Sequence, residues 1–168
     1  MTDISKIKSR KDEKLLFEIR LDWLELKRGI LSSTDVRDTI KVATPKPFGG
    51  AGEEWSPEHL FLGSVSSCFM TTFLSIAEKM NIDITHYDCH TIGLIEKNDG
   101  QYRFTKIDVY PKVYIIEEGF REKLTTALEK AQQYCLVSNS INCPVIYHTE
   151  ILQDKHPLHR SILSISTL

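Results

Sequence analysis

The chain has 168 residues, of which 41% are hydrophobic and 26% are charged, with a formal net charge of −2. This length fits one domain, and the composition is typical of a globular protein and argues against disorder. The slightly acidic balance, with a pI of about 6.3, gives no basic face for binding nucleic acid. Residues 1–14 are charged and lack the apolar stretch of a secretory signal, so we expect a cytoplasmic protein outside any membrane.

The first part of the chain predicts three strands. Residues 15–26 alternate between apolar and polar side chains, which is typical of a strand. A turn is expected at Lys27-Arg28-Gly29, followed by a second short strand over Ile30–Ser32. Asp38–Ala43 is the third candidate strand, and a glycine-rich loop over residues 48–55 follows it.

A long helix comes next. Ser56-Pro57-Glu58 is typical of a helix start, because serine caps, proline fits the first position and glutamate complements the helix dipole. The helix is predicted to reach about Met80. It is apolar over much of its circumference, so we expect protein to bury it on several sides.

The second half predicts a hairpin, a helix and a last strand. Tyr87–Glu96 and Tyr102–Tyr114 are expected to pair as strands around a turn at Asn98-Asp99-Gly100, because Asp-Gly is a strong hairpin signal. A second helix is predicted over Phe120–Tyr134, and a strand over Val145–Leu152. The order β-β-β-α-β-β-α-β defines an α+β fold with two long helices. We expect a single domain over residues 1–168, with its core at about 15–152, an extension at 1–14 and a tail at 153–168.

Four cysteines are candidates for chemistry. In the reducing cytosol, cysteines are more often catalytic, metal-binding or simply buried than disulfide-bonded. Cys68 lies in the middle of the first helix, and Cys135 lies just past the apolar stripe of the second. Either residue, taken alone, is more typical of a small buried apolar side chain.

A reactive Cys68 would need help from a cation. The thiolate is the nucleophile, apolar surroundings disfavour it, and the positive end of the helix is too distant to stabilise it. The candidate cations are arginines of the N-terminal strands, because arginine keeps its charge when desolvated. They are Arg20, Arg28 and Arg37.

Glu58 is the natural carboxylate for such an arginine. Ten residues separate Glu58 from Cys68, which is about 15 Å along a continuous helix. The two side chains therefore cannot touch within one unbroken helix. A two-fold dimer with paired helices could bring Glu58 of one chain near Cys68 of the other, and we carry this arrangement as a hypothesis.

A metal site is disfavoured. His86 and His90 have a spacing that converges on one ion only in a helix, and both fall where a strand is predicted. Cys89, Cys143 and His148 form no pair with the spacing of metal ligands.

Two motifs resemble one known family. Ser56-Pro57-Glu58-His59-Leu60, with Cys68 ten residues after the glutamate, resembles the N-P-E-x-L…C signature of the OsmC/Ohr family of hydroperoxide reductases. The segment from Lys130 to Ser138 resembles the family's K-A-x-x-x-C-P-V-S motif, with Cys135 as its cysteine. Serine replaces the usual asparagine at position 56, and leucine replaces the usual proline at position 136.

The resemblance implies an intertwined homodimer with the two long helices at its centre. It implies that Cys68 is the peroxidatic cysteine, that Cys135 is the resolving one and that Glu58 binds an essential arginine. The family often has an arginine before a glycine after the first strand, so Arg28 is our choice and Arg37 the runner-up.

The expected function is therefore that of an antioxidant, stress-response peroxidase. It would reduce organic hydroperoxides through a Cys68 sulfenic acid and a Cys68–Cys135 disulfide, without a cofactor. An external dithiol, such as a lipoyl or thioredoxin-like protein, would restore the thiols. Apolar neighbours of Cys68 along the helix favour a hydrophobic substrate: Phe61, Phe69, Met70 and Phe73. The alternative is a non-catalytic dimer of the same fold that binds a small apolar ligand and has inert cysteines.

Overall fold

The computed structural model describes residues 14–154, which form two compact units divided between Pro57 and Glu58. The predicted extension up to residue 13 and the predicted tail from residue 155 lie outside the described residues. The assignment of residues 1–168 to one domain stays a prediction.

The first unit contains a three-stranded antiparallel sheet in the order β1-β2-β3. Its strands are β1 (Arg20–Glu25), β2 (Arg28–Ser33) and β3 (Val36–Ala43). Three strands were predicted here, but β1 is shorter than residues 15–26, and the first turn was placed too late. The turn lies at Leu26 and Lys27, where Leu26 adopts a positive φ of 47° and Glu25 pairs with Arg28. Arg28 therefore begins β2 and does not lie in the turn.

The glycine-rich loop follows a short 3-10 helix over Lys46–Phe48 in the same unit. Gly49 ends this helix with φ 79°, a conformation that favours glycine. A Cβ atom on Gly50 would lie 1.5 Å from the carbonyl oxygen of Thr44, so only glycine fits there. The loop and the β1–β2 turn enclose a cavity of about 550 Å³.

The second unit contains the two long helices and a four-stranded sheet. Its elements are α1 (Pro57–Lys79), β4 (His86–Asn98), β5 (Gln101–Ile115), α2 (Arg121–Tyr134), α3 (Leu136–Asn139), β6 (Val145–Tyr147) and β7 (Glu150–Gln153). β4 pairs antiparallel with one edge of β5, while β6 and β7 pair parallel with its other edge. The single last strand that we predicted is thus two short strands, interrupted at His148 and Thr149.

The predicted hairpin and helix start are confirmed. Asn98 pairs with Gln101 across a two-residue turn in which Asp99 and Gly100 have φ values of 50° and 81°. A two-residue hairpin turn whose twist matches that of its strands requires a positive φ at both of its central residues. α1 begins at Pro57, as the Ser-Pro-Glu sequence predicts.

The core of the second unit forms between α1, α2 and one face of β5. α1 buries one stripe of side chains at four-residue spacing: Val65, Phe69, Phe73 and Ala77. The stripe packs against the apolar residues of α2 and alternate residues of β5. The prediction that α1 is buried on several sides is wrong within the described chain, because only this stripe is buried and Leu74 is 38% exposed.

By length and composition alone, α1 is also long and apolar enough to cross a membrane. This is weak evidence, because the core helix of a soluble protein passes the same test.

The other face of the sheet carries a charged cluster around Asp108. Its carboxylate binds the Lys106 ammonium at 2.7 Å and Nε2 of His148 at 2.9 Å. The hydrogen bonds from these two side chains hold the pKa of Asp108 below its usual range. His148 also stacks on Tyr110, with ring centroids 4.5 Å apart. The cluster thus ties the interruption between β6 and β7 to the central strand.

Candidate functional site

Two cysteines that are 67 positions apart in the sequence meet in the second unit. Cys68 lies midway along α1, and Cys135 follows α2 directly and is fully buried. Both are free thiols, and Cys68 packs against the core cluster that contains Cys135. The backbone N–H of Val137, in the turn after Cys135, donates to Sγ of Cys68 at 3.5 Å. The chain thus places two thiols side by side without a disulfide between them.

Cys135 accepts hydrogen bonds that favour its thiolate. Burial raises the pKa of Cys135, but hydrogen bonds, chiefly from the hydroxyl and the backbone N–H of Ser138, outweigh burial and lower it below the ordinary value. The Ser138 hydroxyl is the main donor, with its Oγ atom 3.1 Å from Sγ. A charged acceptor strengthens such a bond, so the bond stabilises the thiolate more than the thiol.

Tyr147 on β6 extends this chain of hydrogen bonds. Its hydroxyl lies 2.5 Å from Oγ of Ser138, and its ring packs on Phe69 with centroids 4.6 Å apart. Burial raises the pKa of Tyr147 well above its usual value, so the phenol stays protonated and can donate. Because Ser138 has one hydroxyl hydrogen and uses it toward Cys135, the hydrogen between the two hydroxyls comes from Tyr147.

The sequence reasoning missed both Ser138 and Tyr147 as site residues. Ser138 ends the second cysteine motif, and its position three residues after Cys135 could have indicated a contact. Tyr147 carried no such signal, because only the parallel pairing of β6 with β5 brings it to this site.

Arg28 is held by carboxylates of the first unit. Its Nε and Nη2 atoms lie 3.2 and 2.5 Å from the two oxygens of Glu54, and its Nη1 atom lies 2.8 Å from Glu25. The hydrogen bond from Arg28 lowers the pKa of Glu54, and the same pair raises that of Arg28. Arg28, Glu54 and the glycine-rich loop line the 550 Å³ cavity of this unit. Arg37, the runner-up, lies exposed on β3.

Glu58 stands in the first turn of α1. Its Oε2 atom is buried and accepts no hydrogen bond from the described residues. α1 is unbroken from Pro57 to Lys79, so Glu58 and Cys68 of one chain lie about 15 Å apart along it. The pairing of Glu58 with an arginine stays a prediction. A buried carboxylate oxygen without a donor is costly, so a donor from outside the described residues would stabilise it.

The other candidate residues lie in the core, at its edge or in β4. Phe69 and Phe73 are fully buried core residues, so they do not form an open wall beside Cys68. Cys89 and Cys143 pack at the edge of the smaller core cluster around Val65. His86 and His90 both lie in β4, the strand geometry that argued against a shared metal ion.

The fold and this site define a class of protein. It is an α+β protein in which a central helix and the end of a second helix bring two free thiols together. The sequence model of the family described as OsmC-like protein matches residues 50–149, more than half of the chain, and this range includes Glu58 and both cysteines. The chain therefore belongs to the OsmC-like family, which confirms the resemblance seen in the sequence.

Relatives of known sequence or structure are distant. The chain is 22% identical to the uncharacterized protein YmaD of Bacillus subtilis over 128 residues, which cover 74% of this chain and 85% of YmaD. An OsmC-like protein of unknown function from Vibrio cholerae is similar in structure, with a TM-score of 0.73, 19% identity and coverage of 81% of this chain and 99% of that one.

An organic hydroperoxide resistance protein from Elizabethkingia anophelis is also similar, with a TM-score of 0.65, 20% identity and coverage of 84% and 100%. These likenesses confirm the predicted α+β, OsmC-like fold.

Proposed function

We propose that the protein is a thiol peroxidase that reduces organic hydroperoxides to alcohols. The observation that carries this proposal is that Cys68 and Cys135, both free thiols, lie in one core cluster, and that the turn after Cys135 donates a hydrogen bond to the Cys68 sulfur. Membership of the OsmC-like family supports it, and so does structural likeness to proteins named for organic hydroperoxide resistance.

The proposed reaction has two steps. The Cys68 thiolate attacks the distal oxygen of the hydroperoxide, forming an S–O bond and breaking the O–O bond. The alkoxide takes a proton and leaves as the alcohol, and Cys68 becomes a sulfenic acid. Cys135 then attacks the Cys68 sulfur, so that an S–S bond forms and hydroxide leaves to become water. Of the two thiols, Cys68 is assigned the first step because it is the more exposed.

An arginine is proposed to stabilise the Cys68 thiolate, and Arg28 is the candidate. Its guanidinium is held in place by a bidentate contact with Glu54. It also lines a cavity of the first unit. The buried, donor-free oxygen of Glu58 supports a further donor from a second copy of the chain. We therefore propose a homodimer in which Glu58 completes the site.

The cycle needs an external reductant and no bound cofactor. A dithiol, such as a lipoyl or thioredoxin-like protein, would return Cys68 and Cys135 to thiols by disulfide exchange. Such exchange requires a reducing compartment, so we propose that the protein works in the cytoplasm as part of the response to peroxide stress.

The test begins with the reduced protein and one equivalent of cumene hydroperoxide. We expect the peroxide to be consumed and one disulfide, Cys68–Cys135, to be found by mass spectrometry. Cys68→Ser should abolish consumption. Cys135→Ser should still consume one equivalent but leave Cys68 as a sulfenic acid that dimedone traps. Cys143→Ser is the matched control and should behave as the wild type.

Peroxide that persists beside the wild-type protein would refute the peroxidase proposal. That result would favour the alternative, a non-catalytic dimer that binds a small apolar ligand. An Arg28→Met variant with the wild-type rate would refute the choice of arginine alone.

A further inference from the structure

The hydrogen bonds around Cys135 point to a role beyond that of a passive second thiol. We propose that Tyr147 and Ser138 form a hydroxyl relay that makes Cys135 the attacking thiolate when the disulfide closes and the leaving thiolate when it is reduced. The proposal rests on the peroxidase function and adds two positioning residues and the point of attack of the reductant.

The relay stands on three contacts in the second unit. Oγ of Ser138 lies 3.1 Å from Sγ of Cys135, and the Tyr147 hydroxyl lies 2.5 Å from Oγ of Ser138. Packing against Phe69 holds the Tyr147 ring in place. Cys135 is fully buried, so water cannot replace these donors. The relay is therefore the principal source of hydrogen bonds to that sulfur.

The direction of the relay favours a negative sulfur. Tyr147 donates to Ser138, and Ser138 donates to Cys135, so two aligned hydroxyl dipoles point their positive ends at Sγ. In disulfide closure, the Cys135 thiolate attacks the Cys68 sulfenic sulfur, and the departing hydroxide takes up the proton that Cys135 lost. In this step the Cys135 sulfur is oxidised and the Cys68 sulfur is reduced.

The same asymmetry sets the course of reduction. Cys68 is partly exposed and Cys135 is not, so a thiolate of the external dithiol reaches the Cys68 sulfur. A new S–S bond forms there, and the old one breaks with its electron pair on Cys135, which the relay stabilises. The second thiol of the reductant, as a thiolate, then displaces Cys68 and closes the reductant's own disulfide. A better-stabilised thiolate is the faster leaving group.

The first test measures disulfide closure as a function of pH in Tyr147→Phe and Ser138→Ala. Ser138→Ala loses a hydrogen bond to a charged acceptor, which lowers the thiolate population by roughly tenfold or more at neutral pH, and Tyr147→Phe weakens the same bond. A more basic thiolate is also more nucleophilic, so the net slowing should be about threefold to tenfold. Above the variant's own thiol pKa the slowing should be lost, because the thiolate is then fully formed and its higher basicity makes it at least as nucleophilic.

Tyr87→Phe is the matched control, because it removes another buried phenol hydroxyl from the same core cluster. Ser138→Thr keeps the hydroxyl and should restore closure. If Tyr147→Phe and Ser138→Ala close at the rate of Tyr87→Phe at every pH, the relay has no role. If Ser138→Ala fails to fold, Tyr147→Phe and Ser138→Thr decide the matter.

A second test does not depend on peroxide. The Cys68–Cys135 disulfide is formed with diamide, treated with glutathione, quenched in acid and mapped by mass spectrometry. We expect glutathione on Cys68 and a free Cys135, released more slowly in Tyr147→Phe. Glutathione on Cys135, or no disulfide with diamide, would overturn the relay. Wild-type protein that leaves peroxide unconsumed would instead overturn the peroxidase function.

Discussion

The outer face of α1 offers a sharp test of the proposed homodimer. Leu74 is the neighbour of the buried Phe73, yet 38% of its side chain is exposed within the chain. Complete burial of a leucine is worth about 1.5–3 kcal/mol, so the exposed part corresponds to roughly 0.6–1.1 kcal/mol. In a two-fold dimer the residue counts twice, which gives about 1.2–2.3 kcal/mol. If a second copy covers this face, Leu74→Ala should weaken the dimer roughly 10-fold to 50-fold.

Sedimentation equilibrium of both proteins measures this dissociation constant. Leu94→Ala is the matched control, because Leu94 is 49% exposed on the face of β4 away from the helices. We expect the control to dimerise like the wild type. A monomeric wild type at micromolar concentration, or a Leu74→Ala variant within twofold of the wild type, would refute the assignment of this face to a second copy.

Three further predictions concern single positions. Leu136 occupies the first position of α3 after an extended Cys135, so Leu136→Pro should stabilise the protein by about 0.4–1 kcal/mol in urea unfolding, and a loss would show that the turn needs its N–H. A Cβ on Gly93 would lie 2.5 Å from the Phe104 ring, so Gly93→Ala should cost about 1–3 kcal/mol by the same measurement, whereas no cost would mean that the ring moves freely. Because the pKa of Asp108 is lower in the folded protein than in the unfolded chain, its ionised carboxylate stabilises the fold at pH values above the unfolded-state pKa. This contribution is lost as the pH falls through the folded-state pKa. Asp108→Asn should therefore lower the urea midpoint at pH 7, and the difference from the wild type should shrink below about pH 4, whereas a constant difference would contradict this linkage.

The helix starts, the tight hairpin and the family could be read from the sequence because each depends on local residue chemistry. Ser56-Pro57-Glu58 begins α1, and Asp99-Gly100 supplies the two positive φ values of the hairpin. The first turn was misplaced because Leu26 takes a positive φ, which leucine rarely does and no propensity would indicate. The break between β6 and β7 was missed because the apolar pattern continues through it.

For the thiol site as well, some features could be predicted from local sequence and others depend on the tertiary structure. The two cysteine motifs predict that Cys68 and Cys135 act together, and the structure places both in one core cluster. The donors to Cys135 could not be predicted together, because Tyr147 reaches Ser138 only through the pairing of β6 with β5. A sequence motif can identify the two cysteines. The hydrogen bonds that determine which thiol is more easily ionised depend on the pairing of β6 with β5.

For α1, the sequence correctly predicts an apolar helix, but it does not predict which side of the helix the chain itself buries. The hydropathy of α1 correctly indicates surface whose transfer out of water is favourable. The chain buries only the stripe from Val65 to Ala77, and it leaves Trp23 of the first sheet 74% exposed as well. Exposed apolar surface among the described residues is typical of a site that another part of a protein or a second molecule covers. The sequence therefore predicts that this helix is buried, whereas the structure shows which stripe of it the described residues bury.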